Sequence, residues 1–183
     1  MPMYNIREID TLSISSDECF FLDANILYWL YTGYPIEKKN DEKVRMYSNF
    51  IGKLIQNGNK FETSAGNVQE VLNLIEKTEH NLYKEANDGR LGKKAFRKNN
   101  EQRELVKNKV RAVYAAIHQN CKIVDLKIEK ETLEKFVDTL TEHLYDPMDF
   151  FVVEDCVRRE RKNVITDDSD FLNDQRLNIY VVR

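Results

Sequence analysis

Four carboxylates lie where short apolar runs end or where helices begin. Asp23 follows the apolar run Phe20, Phe21 and Leu22, and Asp168 follows the run at 163–166. Glu70 and Asp149 each fall in the first turn of a helix that the sequence predicts. The carboxyl ends of parallel strands share one edge of a sheet, and ligands of open α/β folds bind at that edge. We therefore expect these four acids to lie close together.

Acids gathered in a poorly solvated cleft repel one another, and a divalent cation removes that repulsion. Mg²⁺ and Mn²⁺ prefer oxygen ligands, and such ions activate water and stabilise a phosphodiester during its displacement. The sequence therefore predicts a site for one or two Mg²⁺ or Mn²⁺ ions. No Ser/His/Asp set, Gly-rich phosphate loop or zinc-type Cys/His spacing offers a competing chemistry.

The placement of Asp149 follows from the helical period. Val152, Val153 and Cys156 follow it at three, four and seven residues, so Asp149 shares their inward face. Asp146 is predicted to cap this helix, with the proline that follows it in the first helical position. Asp149, and not Asp146, is therefore the expected ligand.

Each acid also has an ordinary structural explanation. Asp23 or Asp168 alone could be a helix cap. Glu70 could close a capping box with Asn67, and Asp149 could do so with Asp146. Asp167 and Asp170 are typical of turns and caps. Four acids at matching junctions are a stronger signal than any one of them.

The elements that must position these acids alternate along the chain. Helices are predicted at about 41–56, from 67 into the eighties, and at 95–119 and 132–144. Further strands are predicted at 60–63, 121–126, 163–166 and 178–182. The apolar residues predicted to face inward include Leu82, Leu105 and Tyr114. This alternation predicts an α/β fold, a three-layer α/β/α sandwich around a mainly parallel sheet of about five strands.

Length and composition bound the other possibilities. The chain has 183 residues, of which 42% are hydrophobic and 32% charged, with a net charge of −3. These values predict one soluble domain at 18–183, preceded by an N-terminal arm at 1–17. The three cysteines are widely spaced and are predicted to be reduced, as in the cytoplasm. No apolar run is long enough to predict a membrane span.

One segment departs from the acidic balance of the chain. Residues 84–111 contain ten Lys or Arg and four Asp or Glu, a local charge of +6. This basic helical insertion, at about 78–120, could bind the phosphates that flank an acidic cleft, or it could be a solvated helix face. The residues predicted to bind nucleic acid are Arg90, Lys93, Lys94, Arg97, Lys98 and Arg103.

Four motifs in this order resemble the PIN-domain family: FLDAN at 21–25, TSAGNVQEVL at 63–72, MDFFVVEDC at 148–156 and ITDDSDF at 165–171. The resemblance runs from about residue 18 to 183. It implies that Asp23, Glu70, Asp149 and Asp168 are the catalytic, metal-binding acids. It further implies supporting roles for Asn25, Thr166 and Asp170.

The resemblance implies a metal-dependent endoribonuclease whose products carry a 5′-phosphate and a 3′-hydroxyl. Its partners would be an RNA substrate, single-stranded or structured, and an antitoxin or a second copy of the chain. The long helical stretch at 78–120 exceeds that of the compact toxin members. Two alternatives remain open: a structure-specific DNA nuclease of the same superfamily, and a catalytically silent module that binds RNA or protein.

Overall fold

The computed structural model describes residues 3–34, 40–87 and 92–183, and its centre is a sheet of six strands. In chain order these are Met3–Asn5, Cys19–Leu22, Lys60–Ser64, Lys122–Val124, Asn163–Ile165 and Asn178–Val181, named β1 to β6. The spatial order is β1-β6-β5-β2-β3-β4, and every neighbouring pair is parallel. From β2 the chain continues to β3 on one side, and β5 later pairs with the other side of β2, so the strand order reverses at β2. The crevice at the carboxyl ends of β5, β2 and β3 is therefore the expected ligand site.

Helices cover both faces of this sheet. The described helices are Ala24–Tyr31, Asp41–Gln56, Ala65–Ala86, Lys93–Lys98, Asn100–Asn120, Lys130–Asp138 and Pro147–Arg158, named α1 to α7. Short 3-10 helices occur at Thr11–Ser13 and Ser169–Asn173. The structure is thus an α/β sandwich of three layers, as the sequence predicts.

Alternation along β2 divides the core in two. Phe20 and Leu22 pack with residues of α1, α2, α3 and α5 on one face of the sheet. Phe21 points to the other face and packs with α7 and the 3-10 helix at 169–173. Because all three side chains are at most 1% exposed, β2 is buried on both faces. Asp23 therefore follows a strand whose position is fixed from both sides.

Several predicted elements differ from the structure. The sixth strand, β1, lies in the segment predicted to be an arm: it pairs with β6, and Tyr4 stacks on Tyr180 with 4.8 Å between ring centroids. The helix predicted at 95–119 is two helices, because Asn99 is extended and its side chain caps α5. The helix predicted at 132–144 ends at Asp138, where the Thr139 hydroxyl bonds to the Lys135 carbonyl.

Three residues predicted to face inward do not. Leu82, Leu105 and Tyr114 are 47%, 38% and 45% exposed. They lie on the long helices α3 and α5, whose buried stripes are narrower than the apolar pattern indicates. The three cysteines are free, as expected. No helix in the described part of the chain is both long and apolar enough to cross a membrane.

Candidate active site

Asp23 lies at the carboxyl end of β2 and is the N-cap of α1. The residue is 6% exposed, and both of its carboxylate oxygens are engaged. Oδ1 accepts a hydrogen bond from the Ala24 N–H at 2.6 Å, and Oδ2 accepts one from the Thr166 hydroxyl at 2.8 Å. Burial raises the pKa of Asp23 to about 6, against the lowering effect of these two bonds, and the charges of Glu70 and Asp168 raise it further.

Thr166 connects Asp23 to Asp168. Its side chain is fully buried after β5, and its hydroxyl oxygen also accepts a hydrogen bond from the Asp168 N–H at 2.9 Å. Asp168 in turn caps the 3-10 helix at 169–173, because its Oδ1 accepts from the Asp170 N–H at 2.9 Å. One buried hydroxyl therefore sets the relative position of two acids that come from adjacent strands.

Two residues that sequence reasoning missed hold this turn from α2. The Tyr47 hydroxyl donates to the Thr166 carbonyl at 2.9 Å or to Asp167 Oδ1 at 3.0 Å, and it accepts from the Val182 N–H at 3.0 Å. Lys43 Nζ bonds both oxygens of Asp167, at 2.9 and 3.1 Å. The Asp167 carboxylate is thus held by side chains of α2. Asp168 is the acid of this motif that is linked to Asp23, through Thr166. Tyr47 and Lys43 are distant in sequence from the motif, so no local pattern indicates them.

Glu70 is brought to the same edge by α3. Ser64 at the end of β3 caps this helix, because its Oγ accepts from the Asn67 N–H at 3.0 Å. Thr63 and Asn67 both donate side-chain hydrogen bonds to the Leu22 carbonyl, at 2.9 and 3.2 Å. The start of α3 is therefore tied to the end of β2. The capping box between Asn67 and Glu70, the structural alternative for Glu70, is absent because Ser64 is the N-cap of α3.

The Glu70 side chain is left at the solvent-exposed rim of the site. Partial burial of its carboxyl raises its pKa, and the charges of Asp146 and Asp168 raise it further. This acid therefore adds to the concentration of negative charge at the edge.

Asp149 arrives from the opposite face of the sheet, in the first turn of α7. Asp146 is the N-cap of that helix, as predicted, and its Oδ1 accepts from the N–H groups of Met148 and Asp149 at 2.7 and 2.9 Å. Asp149 is half-buried, whereas Asp146 is exposed. Burial raises the pKa of Asp149 to about 8, with further contributions from Asp146, Asp23, Asp168 and Glu70. The other three predicted acids therefore all act electrostatically on this one carboxyl.

Gly66 lets the two helix starts approach each other. A Cβ atom at this position would lie 3.1 Å from Met148 Sδ in α7 and 3.1 Å from Leu126 Cδ2. Such contacts are tighter than ordinary van der Waals packing, so a larger residue would push α3 and α7 apart. The small side chain thereby keeps Glu70 and Asp149 at one edge.

The donor set suits a hard divalent cation, because it consists of carboxylate oxygens whose charges oppose one another. Within 3–34, 40–87 and 92–183, however, no three Asp, Glu, His or Cys side chains are placed so that they could hold a metal ion. Asp23 and Asp168 are fixed by hydrogen bonds, whereas the carboxyl groups of Glu70 and Asp149 have no hydrogen bond or ion pair with another described residue. Binding an ion would therefore involve new rotamers of Glu70 or Asp149.

The two other predicted supporting residues have different positions. Asn25 is half-buried in the first turn of α1, two residues after Asp23. Asp170 is also half-buried, but it lines a separate cavity beside the acids. Its backbone N–H, rather than its side chain, bonds to Asp168.

Three of the six predicted nucleic-acid residues are paired with one acid of α3, Glu76. Glu76 is 8% exposed and binds Lys93 at 3.4 Å, Arg97 at 2.5 Å and Arg103 at 3.0 Å. These ion pairs hold α4 and α5 against α3. Lys94 and Lys98 are exposed and form no ion pair with a described residue. Arg90 lies outside the described residues.

Comparison with models of known protein families gives no match, and comparison with curated proteins also gives none. Among solved structures, the chain is similar to VapBC2 from Rickettsia felis, bound to a DNA fragment from its promoter. The TM-score is 0.49 and the sequence identity is 14%, over 89% of this chain and 98% of that chain. A likeness this distant does not assign a function, which must be inferred from the residues of this chain.

Proposed function

We propose that this chain is a metal-dependent endoribonuclease of the PIN type. The observation that carries the proposal is the mutual electrostatic effect of Asp23, Glu70, Asp149 and Asp168. These acids come from three strand-to-helix junctions and from the start of α7, at the switch point of a parallel sheet. The pKa values of Asp23, Glu70 and Asp149 are raised by burial first and then by the charges of neighbouring acids, Asp168 among them in each case. The acids of the candidate site differ in this respect from other buried acids of the described chain. Glu62, Glu76 and Glu79 each form an ion pair with a basic side chain.

A bound Mg²⁺ or Mn²⁺ would supply an activated water and would neutralise charge on the phosphate. Asp23 and Asp168 would bind the ion from positions fixed by Thr166, and Asp149 and Glu70 would complete the ligand set. The water oxygen would bond to phosphorus as the bond to the 3′-oxygen breaks, with one proton lost from the water and one proton taken up from solvent by the leaving 3′-oxygen. The products would then carry a 5′-phosphate and a 3′-hydroxyl.

Flanking phosphates need positive charge, because the acids repel them. Lys94 and Lys98 support this role best, since their ammonium groups are not used by Glu76. Replacing both by Ala should weaken the binding of all RNAs alike and should flatten its salt dependence. A double change of Lys53 and Lys60 to Ala is the matched control, because Lys60 begins β3 at the end remote from the acids. Equal RNA affinity and salt slope in the two double variants would contradict this role.

The test of the enzyme itself compares two aspartates three residues apart. The purified chain is incubated with mixed RNAs in Mn²⁺ or in EDTA, and cleavage is followed by gel. Asp149→Asn should lower the rate by at least about a hundredfold, as the loss of a group that stabilises the transition state does. Asp146→Asn should retain most of the activity, because Asn caps a helix as well as Asp does.

The reverse ranking of the two variants would contradict the site. Cleavage that persists in EDTA would contradict the metal. Faster cleavage of a DNA strand of matched sequence would favour the DNA-nuclease alternative, and binding without cleavage would favour a silent module. Light scattering of the purified chain would show whether it forms the homo-oligomer that the resemblance suggests, and the mass change on adding a candidate antitoxin would test that partner.

A further inference from the structure

A cavity of about 350 Å³ is lined by residues that lie next to two of the predicted acids along the chain. Phe150, which lines it, is the residue that follows Asp149 in α7. Asp170 also lines it, and its N–H bonds to Asp168 at 2.9 Å. The cavity is therefore connected to two of the four acids through adjacent parts of the chain. A substrate phosphate held at Asp168 would thus lie one hydrogen-bonded turn away from Asp170, which lines the cavity.

One part of the cavity wall is aromatic. The His143 ring stacks on Phe150 with 4.8 Å between centroids, and it lies 5.5 Å from the ring of Tyr145. Tyr145 is held in place because its hydroxyl donates to Asp174 Oδ2 at 3.1 Å. Both ring nitrogens of His143 are buried and lack a hydrogen-bond partner among the described residues. This part of the wall is therefore formed by packed aromatic rings. Bases stack on aromatic walls in RNA-binding proteins.

The charges of the cavity disfavour a phosphate. Arg176 bonds both Asp174 and Glu154, and Lys135 also bonds Glu154 at 2.6 Å. The two basic residues of the lining are therefore already neutralised. Asp170 and Glu142 also line the cavity and have no ion pair with a described residue. The uncompensated groups are hydrogen-bond acceptors, which favour a neutral ligand that donates hydrogen bonds.

We propose that this cavity binds a base of the RNA substrate next to the cleaved phosphate and selects bases that carry an exocyclic amino group. Adenine, cytosine and guanine present an amino group with two N–H donors, whereas uracil offers only its single N3–H. The amino group would donate to the Asp170 carboxylate while the ring stacks on the aromatic wall. The cavity volume of about 350 Å³ is large enough for a small ligand such as a base, since ligand pockets begin at about 300 Å³. The inference rests on the proposed nuclease function, because it places the base by reference to the acids.

The test measures nucleoside binding to the full chain in EDTA, so that no cleavage is involved. Dissociation constants for adenosine, cytidine and uridine are obtained by ligand-observed NMR. Adenosine and cytidine should bind about tenfold more tightly than uridine, the effect of one hydrogen bond to a charged group. Adenosine 5′-monophosphate should bind no more tightly than adenosine, because the basic residues of the lining are paired.

Three variants locate the site. Asp170→Asn should reduce the preference over uridine to about twofold or less, since an amide replaces the charged acceptor. Asp138→Asn removes an exposed acid at the end of α6, outside this cavity, and should leave the preference unchanged. Asn173 is an exposed residue of the cavity lining. Asn173→Trp should fill the cavity and weaken the binding of all three nucleosides equally.

Equal binding of the three nucleosides, no detectable binding, or an unchanged preference in Asp170→Asn would overturn the inference. These failures are separable from failure of the nuclease. A chain that cleaves RNA but shows no base preference refutes the cavity alone. A chain that prefers adenosine and cytidine but cleaves nothing refutes the nuclease alone.

Discussion

The ion-pair cluster around Glu76 allows a quantitative test of how the basic segment is used. The Glu76 side chain is 11% exposed and faces three basic side chains that are each about half exposed. Arg97 makes two hydrogen bonds to it, at 2.8 and 2.5 Å. Changing Glu76 to Gln keeps the shape of the side chain and removes its charge. We expect α4 and α5 to be held less firmly against α3 in this variant.

The magnitude follows from the pKa of Glu76. Hydrogen bonding by Arg97, opposed by burial and assisted by Lys93, lowers this pKa from 4.5 to about 2. At about 1.4 kcal/mol per pH unit, the upper limit of its contribution to the free energy of unfolding is about 3 kcal/mol. Because solvent screens the half-exposed partners, we expect a loss of about 1.5 kcal/mol in Glu76→Gln at pH 7. That loss corresponds to a decrease in Tm of about 3–6 °C for a chain of this size.

The sign of the pH dependence is fixed by the direction of the pKa shift. A lowered carboxyl pKa stabilises the folded chain above the unfolded value of 4.5, and this stabilisation is lost as the pH falls towards 2. The stability difference between wild type and Glu76→Gln should therefore be smaller at pH 3.5 than at pH 7. Urea unfolding at the two pH values measures it.

The control is Glu104→Gln, because Glu104 is an exposed acid paired with Lys107 on the same helix. That variant should change stability very little, as exposed pairs do. A Glu76→Gln variant as stable as wild type at pH 7, or a difference that grows on acidification, would refute the reasoning. If Glu76 also competes with RNA for Lys93, Arg97 and Arg103, its replacement should raise RNA affinity.

Four further substitutions test the scaffold around the site. Tyr47→Phe should cost about 2 kcal/mol in the free energy of unfolding and should reduce cleavage, because it leaves the buried Val182 N–H without its partner; unchanged urea unfolding would contradict this. Gly52→Ala should stabilise α2 by about 0.5–1 kcal/mol, since nothing lies within 4 Å of the added Cβ. Gly66→Ala should give no such increase in stability, because its Cβ would press on Leu126 and Met148, and equal Tm values for the two variants would contradict the close approach of α3 and α7. His143→Phe should leave the Tm equal or higher, because it removes two buried nitrogens that have no hydrogen-bond partner in the described part of the chain; a large fall in Tm would show that these nitrogens are bonded.

Helices could be predicted from the sequence where a strong apolar period begins or ends at a capping or stop signal. The bounds of α2 and the Asp146 cap of α7 agree with the structure, since each signal is local. The strand β1 has no such signal, because its stability comes from pairing with β6 and from the contact of Tyr4 with Tyr180. The end of α6 was mispredicted because apolar residues continue beyond it in the sequence. Val137 in the helix and Leu144 after it are 68% and 69% exposed, although their spacing resembles that of a buried stripe.

The candidate site shows the same division. Residue types and their junctions were enough to select Asp23, Glu70, Asp149 and Asp168, which still await a functional test. Spacing could not reveal that Lys43 and Tyr47, more than a hundred residues before Asp167, would engage that acid. The local charge of 84–111 also could not show that three of its basic residues pair with Glu76. Glu76 lies on α3, and it meets these residues only because α4 and α5 pack against that helix.

Metal binding tests the central claim most directly. The Tm of the purified chain is measured across a millimolar Mn²⁺ series, for wild type and for Asp23→Asn. Wild type should become more stable with Mn²⁺, because an ion that binds only the folded chain stabilises it by about 2.7 kcal/mol at a hundred times its dissociation constant. Asp23→Asn should show no such increase, and without metal it should be at least as stable as wild type, since a buried charge is removed. A wild-type Tm that does not change with Mn²⁺, or an equal increase in Asp23→Asn, would contradict a metal site at these acids.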